Sequence, residues 1–159
     1  PETNWNLYDS DVLEWILKSK PSLHLLKEFT QVRFAIEPMA AKLAAENATP
    51  AQINQMEAAL YLISEAQEGL EDQLDAHINF LNTILVASGN RFFIQLTQFV
   101  DAALRVSIRY TNQVKGISNT DVTFHVKVFN AIKNGDASTA QKLIYDVLND
   151  AVALIESRL

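Results

Sequence analysis

Three ionisable residues stand where a helical chain is expected to bury apolar ones: Arg33, His77 and His125. His77 lies in the stretch Leu70 to Asn90, LEDQLDAHINFLNTILVASGN. There Leu70, Leu74, Leu81, Ile84, Leu85 and Ser88 keep the spacing of one helical face, and His77 falls on it. Arg33 shares a stripe with Leu26, Phe29, Ile36, Ala40, Leu43 and Ala44, and His125 shares one with Val122, Val128, Phe129 and Ile132. A lone histidine on such a stripe is more often a packed core residue than a ligand contact. An arginine cannot shed its charge, so a buried one needs an anion. Glu37, one helical turn on, is available for that pairing. Three such residues on three separate stripes favour another outcome, a polar cavity inside a bundle. Its donor set suits a carboxylate: a guanidinium fork, and two imidazoles that donate hydrogen bonds or bind metal.

The elements that must bring these residues together read as helices throughout. Residues 1–10 form a polar N-terminal arm, and Asp9 or Ser10 caps a short helix through about Lys18, broken by Lys20-Pro21-Ser22. A long helix from Ser22 to Asn47 carries Arg33, with a kink or break expected near Glu37 because Pro38 lacks an N–H. Thr49-Pro50-Ala51-Gln52 opens the next helix with a capping box, and Ile53, Met56, Leu60 and Ile63 point inward. Glu65 to Gly69 is a turn, and Ser88-Gly89-Asn90 closes the His77 helix. One helix is expected from Arg91 to about Lys115, with Phe92, Leu96, Phe99, Val100, Ala103, Val106, Tyr110 and Val114 on one side. Arg105 lies opposite them, four residues after Asp101, either as a surface pair or within a second packing face. After the loop Gly116 to Asn119, a helix from Thr120 to Lys133 carries His125. Asp136 caps the last helix, with Ala140, Leu143, Ile144, Val147, Ala151 and Leu154 inward. No segment alternates with period two, so the fold class is all-α, an antiparallel bundle of six to seven helices.

Composition narrows the function. The 159 residues suffice for one domain with a real core, and a net charge of −6 argues against this chain gripping phosphate backbones itself. The chain has no cysteine, which removes disulfides and thiolate metal sites and fits a cytoplasmic protein. No apolar run reaches membrane-spanning length. There is no Gly-rich phosphate loop, HExxH or nucleophile elbow. Leu74 and Val122 stand three residues before His77 and His125, so neither completes the Glu-x-x-His of a di-iron bundle.

Motifs in order carry a resemblance. Trp5-Asn6-Leu7 with Asp9 and Asp11-Val12-Leu13-Glu14-Trp15 comes first. Val32-Arg33, Ile36-Glu37-Pro38 and Ala40-Ala41-Lys42-Leu43-Ala44-Ala45 follow. Then come Ala87-Ser88-Gly89-Asn90, and His125 with Ala131-Ile132 and Gly135-Asp136-Ala137. Together they resemble the FCD domain, the effector-binding C-terminal domain of the FadR subfamily of GntR-type bacterial transcription regulators, and its sugar-acid members in particular. The resemblance implies a dimeric bundle behind a winged-helix DNA-binding domain. It also implies a small organic acid as effector, held through its carboxylate by Arg33. Many members bind a divalent metal through an Asp and three His. At those positions this chain has His77, Leu81, His125 and Val147. Two imidazoles fall short of the usual three or four ligands.

The resulting expectations are specific. Residues 1–159 form a single effector-binding and dimerisation domain, with an arm and short helix over 1–20. The winged helix lies outside this chain, which opens Pro-Glu-Thr without methionine. The effector is a carboxylate metabolite, with a sugar acid favoured, contacted by Arg33, His77 and His125. No tightly held metal or other cofactor is expected; a weak zinc or nickel site on His77 and His125, completed by the effector, is the alternative. DNA is reached through the missing domain, the protein is a cytoplasmic homodimer, and no membrane is involved. The competing readings are a helical enzyme with a buried histidine as general base, and an interaction bundle without a ligand.

Overall fold

The computed structural model describes Asp11, Val12, Trp15, residues 23–65, 70–102, Arg105 and 122–159, with the backbone alone for 70–74. Six helices are bounded within it: α1 (Leu23–Asn47), α2 (Pro50–Glu65), α3 (Leu70–Ala87), α4 (Arg91–Gln95), α5 (Val122–Lys133) and α6 (Ala137–Glu156). Residues 97–102 are also helical, and there is no strand among the described residues. The fold class is therefore all-α, as expected. Four expectations fall outside the described residues: the N-terminal arm and most of its short helix, the turn over 66–69, the loop before α5, and the inward positions Ala103, Val106, Tyr110 and Val114. The side chains of Leu70 and Leu74 do too.

Local chemistry sets the helix ends. Thr49 Oγ1 accepts from Gln52 N–H at 3.2 Å while Gln52 Oε1 accepts from Thr49 N–H at 3.0 Å, a reciprocal capping box. Thr49→Ala should cost about 1 kcal/mol. The check is a lower urea midpoint at an unchanged slope. At the end of α5, Gly135 takes φ +72°. Its N–H reaches Ile132 O at 3.1 Å and the Asp136 N–H reaches Ala131 O at 2.8 Å, a Schellman closure. Asp136 then caps α6 by accepting from Thr139 N–H at 3.3 Å.

Three elements differ from expectation. Helix α1 continues through Pro38 without a break, with Pro38 buried. The helix expected from Arg91 is interrupted at Leu96, a single turn residue between α4 and 97–102. Leu96 N–H bonds both Phe92 O at 3.3 Å and Phe93 O at 3.1 Å, and the Thr97 hydroxyl bonds back to Ile94 O. Such tightening and back-bonding bend a helix. Phe92, expected inward, is consequently 77% exposed. The inward stripe of α6 is also displaced: Ala140, Ile144, Leu148 and Ile155 are buried, while Val147 is 42% exposed.

Helix α1 packs most extensively against α6. Lys27 pairs with Glu156 at 3.4 Å, the Phe34 and Tyr145 rings lie 4.6 Å apart, and Gly135 sits beside Ala45 O. The partners run in opposite order, so α1 and α6 are antiparallel. Helix α3 instead runs alongside α1 in the same sense: Glu37 faces Leu81 across a crevice, and Asn47 Nδ2 donates to Ser88 O at 3.4 Å. Arg105 reaches Asp75 at 2.9 Å and Asn82 donates to Asp101 at 3.3 Å, so the segment after α4 returns antiparallel along α3. Arg105 thus pairs across two helices with Asp75, where the sequence offered Asp101 on its own helix.

The core has two clusters. One gathers Ala41, Ala44, Met56, Phe80, Ile84, Phe129, Ile132 and Ile144 from five helices. The other gathers Phe29, Ile36, Ala40, Ile78, Leu85, Phe99 and Val100. Leu81 packs against both. Glu37 lines a crevice between members of both clusters, with Ala40, Leu85 and Val100 from one and Ile84 and Ile144 from the other.

Candidate functional site

Arg33 and Glu37 are each 7% exposed. Arg33 Nε donates to Glu37 Oε2 at 2.8 Å and Nη2 lies 3.5 Å from Oε1. Both residues come from one face of α1, one turn apart, because an i,i+4 spacing stacks side chains. In low dielectric this pairing is what keeps a buried guanidinium tolerable. The bland sequence reading of Arg33, an ion pair with Glu37, is therefore present. It does not empty the site, because Glu37 also lines a crevice with Ala40, Leu81, Ile84, Leu85, Val100 and Ile144.

His77 and His125 are brought together from α3 and α5. Their Nε2 atoms lie 3.1 Å apart, so one ring donates and the other accepts. His125 is 2% exposed. The edges of His77, Phe80 and Phe124 surround its ring at 4.2, 5.3 and 5.3 Å between centroids. That packing fixes the ring and leaves little room for a second rotamer. Phe80 and Phe124 were not anticipated as neighbours, although each is local to one histidine in sequence. His77 is half-buried, yet its Nδ1 is buried and has no hydrogen-bond partner. Burial first, then the His125 and Arg33 charges, push the His77 imidazole well below its usual pKa, so it is neutral near pH 7. The influence of Arg33 links the three residues electrostatically. Asn82 Oδ1 is also buried without a partner, on the face of α3 turned toward Asp101.

Among the described residues no third His, Cys, Asp or Glu joins the imidazole pair in a metal-binding group. Leu81 lines the crevice as an apolar wall, and Val147 faces solvent. The pair offers two nitrogens, and a structural zinc takes three or four protein ligands. These residues offer a buried cation with its counter-ion and an unpartnered imidazole nitrogen, and the counter-ion Glu37 borders an apolar crevice wall.

The all-helical fold is shared with solved structures. The solved structure of E. coli McbR/YncC superposes with a TM-score of 0.68 at 18% identity, over 87% of this chain and 72% of that one. The chain belongs to the FCD domain family of GntR-type regulators, whose model matches residues 28–150. It is 28% identical over 144 residues to the galactonate operon transcriptional repressor of Escherichia coli K12, covering 89% of this chain. It is 27% identical over 131 residues to the HTH-type transcriptional repressor NanR of Edwardsiella tarda, covering 80% of this chain. The chain spans 62% and 50% of those two proteins. Both relatives are transcriptional repressors by name. Among the described residues no helix is long and apolar enough to cross a membrane.

Proposed function

We propose that this chain is the ligand-sensing domain of a DNA-binding transcription regulator, and that its ligand is a small carboxylate metabolite of the sugar-acid class. The observation that carries this reading is the buried Arg33, whose charge reaches a neutral His77 with an unpartnered Nδ1. A buried unsatisfied nitrogen costs about 1–3 kcal/mol, so a ligand that satisfies it gains that much. Arg33 takes the carboxylate, while His77 and His125 contact hydroxyl or carboxylate oxygens. The likeness to a galactonate operon repressor supports a sugar acid as the class. The ligand is held without a tightly bound metal. Its binding alters how a winged-helix DNA-binding domain outside residues 1–159 is carried, in a cytoplasmic homodimer; this chain does not itself grip DNA.

Thermal melting against sugar acids and short organic acids, with zinc or nickel and again after chelation, tests the reading. A ligand at about 100 times its dissociation constant adds roughly 2.7 kcal/mol to stability. The expected result is a shift with a sugar acid that survives chelation. Arg33→Ala should weaken that binding by about 10- to 100-fold, the worth of a hydrogen bond to a charged group. Binding unchanged in Arg33→Ala removes the clamp, and a shift abolished by chelator makes the histidines metal ligands. No response to any acid favours the ligand-free bundle.

A further inference from the structure

We infer that Glu37 is the internal occupant of the carboxylate seat at Arg33, and that this makes the site selective for hydroxy acids over plain ones. The inference rests on the ligand-sensing reading above. Arg33 spends Nε and Nη2 on Glu37, at 2.8 and 3.5 Å, and the two buried charges cancel. An incoming carboxylate that takes those donors restores the bonds that Glu37 already makes. The exchange of one carboxylate for another brings little net gain.

What happens to Glu37 then decides affinity. Its neighbours on the crevice wall are Ala40, Leu81, Ile84, Leu85, Val100 and Ile144, none with a side-chain donor. A carboxylate released among such groups is costly unless hydrogen-bonded. The donors must therefore come from the ligand, and hydroxyls on the carbons next to its carboxylate supply them. His77 Nδ1, buried without a partner and within the electrostatic reach of Arg33, offers those hydroxyls a second anchor. A plain acid of equal length displaces Glu37 and gives nothing in return. Glu37 is thus the residue that sets specificity.

Thermal melting of the whole chain tests both halves. Sodium acetate is added to wild type, Glu37→Ala and Glu37→Gln, with sodium chloride at equal ionic strength as control. Acetate should raise the melting temperature of Glu37→Ala saturably and leave wild type unmoved. Glu37→Gln keeps the shape and serves if the alanine variant does not fold; its neutral amide should yield the seat to acetate as well. No acetate effect in either variant overturns the seat. Wild type is then melted with six-carbon aldonates, D-galactonate among them, and with hexanoate. Aldonate stabilisation without a hexanoate effect is expected. Equal stabilisation by hexanoate, or none by any aldonate, overturns hydroxy-acid selectivity. Rescue by acetate together with silence of every aldonate keeps the seat and rejects the sugar-acid reading. An aldonate shift without acetate rescue does the reverse.

Discussion

Glu37→Ala should lower stability by about 3–5 kcal/mol, the cost of leaving one member of a buried ion pair without its partner. Arg33 and Glu37 are both 7% exposed and share a 2.8 Å hydrogen bond, so the guanidinium left behind is a buried charge without its counter-ion. The double variant Arg33→Met with Glu37→Leu should behave otherwise. It removes both charges and keeps apolar volume, and such replacements are often neutral or stabilising by about 1–4 kcal/mol. Urea unfolding of wild type, both singles and the double measures this as a cycle. A double variant as unstable as the sum of the singles would show that the pair is held by more than its own partners. A stable double variant that answers no acid would show what the pair is kept for: the seat rather than the fold.

The second large effect is on the pH dependence of stability. His77 has its folded-state pKa lowered well below the usual value, by burial first and then by the His125 and Arg33 charges. The unfolded chain therefore holds the extra proton below about pH 6.5, the free imidazole value. Stability rises with pH wherever the unfolded state binds more protons. The contribution of His77 is thus fully present above about pH 6.5 and is lost as pH falls toward the folded-state pKa. The slope is about 1.4 kcal/mol per pH unit for one proton, so melting at pH 7.5, 6.5, 5.5 and 4.5 should resolve it. His77→Gln should flatten the slope by close to one proton. An unchanged slope would mean that this imidazole charges freely within the fold.

Much of the architecture was written locally. The capping box at Thr49, the glycine at 135 and the aspartate cap at 136 each act through neighbours within five residues. Such signals can be read without the fold, and helices α2, α5 and α6 begin or end where they indicated. The stripe of α1 was equally legible, with Leu26, Phe29, Arg33, Ile36, Ala40 and Ala44 all buried. The interruption at Leu96 was not, because the apolar spacing runs on through it. The signal available was Thr97, whose hydroxyl competes for a backbone carbonyl. The α6 stripe was misread by a fraction of a turn. Periodicity alone fits both Val147 and Leu148 inward, and packing into the shared core selects Leu148.

By itself the sequence determined which side chains are too costly to bury without purpose: one arginine, two histidines and the glutamate one turn along. It also determined the all-α class, since helix periodicity and capping are short-range. Only the tertiary structure decided that His77 and His125, 48 residues apart, meet at 3.1 Å, and that His77 Nδ1 is left unpartnered. It alone placed Leu81 between two apolar clusters and Glu37 on the wall of a crevice. The reason is physical. A local hydrogen bond is fixed by backbone geometry that the neighbouring residues already impose. A contact between distant helices is fixed by how all of their apolar faces pack at once, and no single stripe contains that information.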